Sequence, residues 1–482
     1  MHRKARRDGN LSGPTVNPSE VTLGSIGAWV RSVMVPVRVA LRYLWRALMA
    51  SLLGLIGDFA DDVGQDLFRP DQKFIRDALI GLAKSQSCRL SEWARALDED
   101  DRNGEPRALN HTTKRLSTRI NARRFRDASV ETRHMERLAP SLTRDDGEGV
   151  IIAADYTDIA KPWARLDSDR GQELACKCWN GSDKTKTTGY PVVQLEAVRA
   201  DGERRPLMLR PFSFQADGYR SQNQEFIDAI TDASYHVGPR AWWAFDRGFD
   251  SRVLFNSLDY AGPGGAPIRW VCRLKVGNRS RMLLDANGEQ LPAAEMMLRA
   301  IPRYVSERTT GRGRKRRVLK VEIGARRVHT TTESGKVDPT PRTLIVIWSE
   351  GVKTPLVLLA SEDLKGKAAV LSAVRAYKGR WKAEESNRHA KARHGWGVGL
   401  ETLQVLTMRA VKRMALLVVL AQALLAELGE VEEITRRALR LLRVDRRAPK
   451  DLSYQLSRGV AGLLGRMRRH LIAEWRDDPG DG

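Results

Sequence analysis

Cysteine is scarce in this chain: four in 482 residues, at Cys88, Cys176, Cys178 and Cys272, and only Cys176 and Cys178 lie close together. Their spacing lacks the paired CxxC sets of a zinc site, and so few thiols make no disulfide framework. Reduced thiols in a cytosolic protein are expected. Long apolar runs are scarce as well. A helix crossing a bilayer needs about 20 largely uncharged residues, whereas the stretch 26–60 is broken by Arg31, Arg38, Arg42 and Arg46, and the run 414–426 stops at Glu427. No membrane span is expected. The first stretch reads as an amphipathic helix with its arginines on one face, a membrane-surface helix being the alternative. No apolar segment follows the basic opening residues, so no signal peptide is expected. Acid is also in short supply, with 59 Asp+Glu against 82 Lys+Arg and a formal net charge of +23. Such a surface calls for a polyanion, either nucleic acid or an anionic membrane face. A Walker phosphate loop, an HExxH zinc motif and a clear Ser-His-Asp set are all missing.

What is present, 42% hydrophobic and 29% charged residues, suits a soluble protein with a full core and room for two or three domains. The pattern over 72–134 is helical, with Phe74, Ile75, Leu79 and Ile80, then Leu90, Trp93, Ala94 and Leu97. A basic run follows with Lys114, Arg115, Arg119, Arg123 and Arg124. A small DNA-binding bundle and a helical cap with a solvated basic face both fit. From Gly149 the period changes. The apolar run 150–154 reads as a buried strand delivering Asp155 at its end, and the run 241–245 delivers Asp246 in the same way. Between them come strands at 190–198 and 207–210 and a helix starting near Ser221. Strands are then predicted at 270–276, 318–323, 326–331, 343–348 and 356–360. A basic Gly-rich loop at 308–317 is either a phosphate contact or a solvated hairpin tip. From Lys367 the chain returns to helix, continuing through an apolar part at 400–428 and a basic tail.

The segment 377–391 is the most informative. At about 100° per residue, Tyr377, Arg380, Glu384, Arg388 and Lys391 share an arc of roughly 80°. One helix face thus carries a carboxylate among cations and a phenol. Ala376, Ala383 and Ala390 make a neighbouring stripe able to sit close against a sheet. Simple i, i+4 pairing of Arg380 with Glu384 is the competing explanation. Together with the two strand-end aspartates, the set reads as three carboxylates for two Mg²⁺ ions, with Mn²⁺ able to substitute, serving in-line displacement at phosphorus. The cations beside Glu384 would hold a DNA backbone.

At this point the chain resembles the DDE transposases of the insertion-sequence-four group, marked by the signature Y-x2-R-x3-E-x6-K. Tyr377, Arg380, Glu384 and Lys391 match it at every spacing, and the likeness extends to the residues around Asp155 and Asp246, over roughly 72–414. The resemblance implies an α/β fold: a ribonuclease H-like core interrupted by a β-rich insertion and flanked by helical regions. The domains expected are a basic and apolar extension at 1–71, a helical DNA-binding domain at 72–145, the first part of the core at 146–267, the insertion at 268–362, the second part of the core at 363–399 and a helical C-terminal region at 400–482. Asp155, Asp246 and Glu384 become the catalytic metal ligands. Tyr377, Arg380, Arg388 and Lys391 become DNA contacts, joined by Arg273, Asn278 and Arg279 at the start of the insertion. Asp158 competes with Asp155, and Asp250 is expected to cap the following helix. The implied partners are double-stranded DNA, as transposon terminal repeats and target, and a second copy of the chain in the synaptic complex, with dimer contacts through the apolar C-terminal helices. A bacterial, nucleoid-associated protein of the cytoplasm is implied. Relatives that form hairpins hold a flipped base against a Trp near the strand 355–359, but that strand has none here, and Trp348 is the nearest candidate. A transposase turned DNA-binding regulator and a structure-selective nuclease are the alternatives.

Overall fold

The computed structural model describes residues 47–97, 108–143, 149–162, 164, 172–180, 185–277, 280–310, 317–332, 335–391, 397–444 and 452–466. The chain divides into a unit at 1–52, described only over helical residues 47–52, and a second unit at 53–482.

The second unit opens with helix α1 (53–64), then α2 (Arg69–Ser85), α3 (Leu90–Leu97), α4 (Leu109–Ile120) and α5 (Asp127–Leu142). The apolar series read from the sequence is the packed face of these helices: Phe74, Ile75, Leu79, Ile80, Trp93 and Leu97 are buried. Two cations of the basic run are used inside the bundle. Arg115 bonds to the buried Asp77 at 2.7 Å and Arg119 approaches the buried Asp71 at 3.4 Å, while Lys114, Arg123 and Arg124 remain exposed.

Strands β1 (Ile151–Ala160), β2 (Cys176–Asn180), β3 (Thr185–Val198) and β4 (Arg204–Pro211) follow, then α6 (Gln222–Ser234), β5 (Trp242–Phe245), α7 (Arg252–Leu258) and β6 (Arg269–Arg273). Next come β7 (Met282–Asp285), β8 (Gln290–Pro292), α8 (Ala293–Leu298), β9 (Pro302–Thr310), β10 (Arg317–Thr330), β11 (Arg342–Ser349) and β12 (Leu356–Ala360). The chain closes with α9 (Gly366–Gly379), α10 (Ala383–Lys391), α11 (Met408–Glu430), α12 (Glu432–Leu441) and α13 (Leu452–Gly465). Ser221 caps α6 by accepting the Gln224 N–H, which fixes that helix where the sequence placed it.

The strands form one 12-stranded mixed sheet in the order β2-β3-β1-β5-β6-β12-β11-β10-β7-β8, with β4 on β3 and β9 on β10. β1, β3 and β4 run antiparallel, whereas β5 and β6 run parallel to β1. The strands read as an insertion therefore continue the same sheet, through the β6 to β12 pairing. Alternation along β5 sends Trp243 and Phe245 to a core with α6 and α7, and Trp242 and Ala244 to a second core with α9. Both faces of the parallel strands are covered, as their continuous apolar runs require.

Three local readings change. The strands expected at 318–323 and 326–331 are one strand, β10, with a register shift at Ile323/Gly324. A Cβ on Gly324 would come within 2.9 Å of the Ile301 carbonyl and 3.1 Å of the half-buried Trp348 ring, so only glycine lets these backbones meet. The basic loop is shorter than expected, since residues 308–310 and 317 belong to strands and 311–316 lie outside the described residues. The apolar excess of the C-terminal region, expected to serve a second copy, is consumed within the chain: α11 buries Val411, Met414, Leu417, Val418 and Leu420 among others, packed against β4 and the N-terminal helices. Among the described residues no single helix is long and apolar enough to cross a membrane.

Candidate active site

β1 and β5 pair in parallel only up to Ala154 and Phe245. Beyond that point β5 leaves the sheet for a short 3-10 turn (Arg247–Phe249), while β1 continues for six residues beside β3. The expectation that Asp155 ends its strand is corrected here, because Thr157, Ile159 and Ala160 still have partners on β3 and the strand runs on to Ala160. Asp155 and Asp246 are the next residues of the two diverging strands, on neighbouring chains about 4.8 Å apart. β6 extends the row, since Phe245 pairs with Cys272 and the following residue is Arg273. Three successive strands thus deliver Asp155, Asp246 and Arg273 at one level of the sheet. By alternation they point to the face that carries α9.

The helix that covers this face is not one continuous cylinder. α9 ends at Gly379, a 3-10 turn (Arg380–Lys382) follows, and α10 starts at Ala383. Gly379 lies against β1 so closely that a Cβ would stand 2.5 Å from Ile151 Cδ1. The predicted alanine stripe is at the contact, with Ala376, Ala383 and Ala390 all buried. Farther along, Ser386 of α10 donates to the buried Glu196 of β3. These contacts set Arg380 over Asp155, with Nη1 3.3 Å from Asp155 Oδ2 and Nη2 3.6 Å from Glu384 Oε1. The two carboxylates from distant parts of the chain therefore share one buried guanidinium.

Charge is unbalanced here. Burial raises the Asp155 carboxyl, and nearby Asp246 and Glu384 raise it further. Arg380 and the Tyr156 N–H offset only part of this, and the group is pushed up to about 6. Carboxylates in such a setting are the donor type a hard divalent cation takes. As they stand, no three acidic, histidine or cysteine side chains among the described residues are grouped closely enough to hold a metal ion. Arg380 occupies the interval between Asp155 and Glu384.

The remaining candidates divide by environment. Tyr377 is buried, and its hydroxyl sits near Arg273, Asp246 and Arg380 without a well-formed hydrogen bond; burial raises its pKa and Arg380 opposes this. Lys391 forms an ion pair with the buried Asp158 at 2.8 Å and lies 3.7 Å from Glu401. Arg388 is exposed on α10. Asn278 and Arg279 lie outside the described residues. Asp250 does not cap the following helix as expected. It accepts the Lys275 N–H at 2.9 Å and Arg281 Nε at 2.7 Å, because it is buried and needs a full counter-charge. Sequence reading passed over Trp381, whose exposed ring centre is 5.7 Å from the Arg380 guanidinium, and Lys161, whose Nζ donates to the Leu403 carbonyl at 2.5 Å. The signal for Trp381 was available in its place beside the signature Arg380.

No protein-family model matches the chain, and no curated protein matches it. Among solved structures, a piggyBac transposase synaptic complex with hairpin DNA is similar at a TM-score of 0.36 and 11% identity, over 90% of this chain and 84% of that one. The likeness to the insertion-sequence-four group rests on the three sequence motifs alone.

Proposed function

We propose that this protein is a DDE-type DNA transposase that nicks transposon ends and joins the freed 3′-hydroxyl to target DNA. The observation that carries this reading is Arg380 contacting both Asp155 and Glu384 at the fork of β1 and β5, where Asp246 is the residue that follows the last paired position of β5. The antiparallel strands β1, β3 and β4, followed by β5 and β6 parallel to β1 with helices on both faces, support a ribonuclease H-like core. Asp155, Asp246 and Glu384 would hold Mg²⁺, or Mn²⁺ in its place. The ion would supply activation of an attacking water or 3′-hydroxyl and stabilisation of the leaving oxygen.

The chain's own residues orient the substrate. Arg388 faces solvent on α10 and meets a backbone phosphate. Arg380 offers a planar fork to a second phosphate once it leaves the carboxylates. Arg273 and Tyr377 lie near each other and near Asp246, and would help orient a phosphate there. Lys391 neutralises Asp158 and so holds the end of α10 to β1. The net charge of +23 favours approach of a polyanion, and the paired ends of an element would be held by two copies of the chain.

The test is Mg²⁺-dependent cleavage of a plasmid carrying the gene's own genomic flanks, comparing wild type with Glu384→Gln. Cutting at discrete flank positions by the wild type alone is expected. Binding without cutting by both proteins would replace this reading with a DNA-binding regulator.

A further inference from the structure

We infer that strand β9 is a self-pairing edge: two copies of the chain join their sheets by antiparallel β9–β9 pairing about a two-fold axis at Val305. The contact deepens the proposed function, which calls for two copies, and rests on that reading only for its purpose.

β9 spans nine residues and, among the described residues, pairs with β10 alone. Its other edge therefore offers backbone N–H and C=O groups to a further strand. The sheet's remaining outer strands offer less, since β2 and β8 have five and three residues and β4 lies under α11. The register with β10 fixes which side chains face outward. Tyr304 stands opposite Ile323 and packs with it on the α9 core, so the even-numbered residues face inward. Arg303, Val305 and Glu307 then share the open face, and all three are exposed. Val305 is 52% exposed, and just before the strand Leu298 and Ile301 are 79% and 71% exposed, leaving bare apolar surface beside a free edge.

The open face matches itself. An arginine lies two residues before Val305 and a glutamate two residues after it. Antiparallel pairing centred on Val305 sets that side chain against its own copy and sets Arg303 against the partner's Glu307, twice by symmetry. Among the described residues neither Arg303 nor Glu307 forms an ion pair in its own chain; Lys320, opposite Glu307 on β10, bonds Glu322 at 2.7 Å. Opposite charges directly across a strand pair attract, and like charges there repel. A register shifted by two residues would set Val305 against Arg303 or Glu307, so the pattern selects one pairing. Self-complementarity of this kind is what a two-fold contact requires. With the apolar C-terminal helices consumed inside the chain, this edge supplies the surface for a second copy. β9 is six strands from β1, about 29 Å along the sheet at about 4.8 Å per strand, so the seam covers neither copy's candidate site.

The experiment is analytical ultracentrifugation of the full chain without DNA or metal over a concentration series, with circular dichroism as the check on folding. A seam this short belongs to the small-interface class, so a concentration-dependent dimer is expected. Arg303→Glu and Glu307→Arg should each raise the dimer dissociation constant about tenfold or more, because each places like charges across the seam at two symmetric positions. The double variant Arg303→Glu/Glu307→Arg restores the attraction with its sign exchanged and should return close to the wild-type value. If a single variant does not fold, Val305→Lys takes its place, since two lysines would meet at the axis, and it must weaken the dimer. A wild type that stays monomeric up to about 0.1 mM would leave the edge to another partner and overturn the inference. Association beyond a dimer, a dimer that both single variants leave intact, or a folded double variant that stays dissociated would overturn it as well. Plasmid cleavage by wild type and Glu384→Gln bears on the proposed function alone, so the two can fail separately.

Discussion

The two halves of the sheet differ in how they treat acid, although Asp158 on β1 is paired one-to-one with Lys391. In the half built from β7 to β12 and its borders, each buried or nearly buried aspartate has its own arginine: Asp250 with Arg281, Asp259 with Arg342, Asp285 with Arg326 and Asp338 with Arg252. At the fork of β1 and β5, Asp155 and Glu384 share Arg380, and Asp246 stands beside them. The ionisation behaviour follows. Burial of Asp338 is outweighed by Arg252, Thr330 and Asn256, and Asp285 is lowered by the Glu289 and Asn287 N–H groups together with Arg326. Asp155 is raised to about 6. One-to-one pairing suits acids that hold the fold, whereas a shared guanidinium leaves the acids at the fork short of positive charge.

The largest effect separating the two halves is expected in chemistry. Asp246→Asn should lower plasmid cleavage on the order of 10³-fold or more with its melting temperature within a few degrees of wild type; a large loss of stability would place Asp246 with the structural acids. Next, Arg342→Ala leaves Asp259 without its partner and strips the cation from the Trp270 ring. Chemical denaturation should then report a loss of about 3–5 kcal/mol, and any cleavage defect should disappear under conditions where the variant is fully folded.

The sharpest contrast is in pH. Asp155 keeps its proton in the folded chain at pH values where the unfolded chain has lost it, so its contribution to stability is present below about pH 4 and is lost as pH rises towards 6. Asp155→Asn should therefore stabilise the metal-free protein at pH 7.5, by about 2 kcal/mol at most given the 24% exposure of that side chain, and do nothing at pH 4. Asp338 has the opposite sign: its lowered pKa stabilises the fold above about pH 4, and that stability is lost on acidification. Asp338→Asn should destabilise at pH 7.5 and converge on wild type in acid. Thermal melts from pH 8 down to about pH 2 read both. The smallest effect is at Arg388, where Arg388→Ala should lower the slope of log affinity against log salt by about one without changing stability.

Much of the site was legible because its parts are local. The apolar runs at 150–154 and 241–245 can only be strands covered on both faces, so the acids that follow them had to stand near one edge of the packed core. The spacing of Tyr377, Arg380, Glu384 and Lys391 placed the covering helix. The break at Arg380–Lys382 was not legible, since it accompanies Gly379 meeting Ile151, a contact across 228 residues of sequence that no helical periodicity encodes. β2, β7, β8 and β9 were missed because they are short or polar and owe their form to neighbours already in the sheet. Lys391 carried the same spacing whether it faced solvent or Asp158.

The sequence by itself determined the strand-borne aspartates, the helix bearing Glu384 and the strong excess of positive charge, because each follows from residue type and local period. Only the tertiary structure decided which acids are neutralised and which are left wanting. Asp250 meets Arg281 across 31 residues, Asp259 meets Arg342 across 83, and Asp155 meets Arg380 across 225. At such separations charge balance is a property of the packed sheet, where burial makes every missing partner costly.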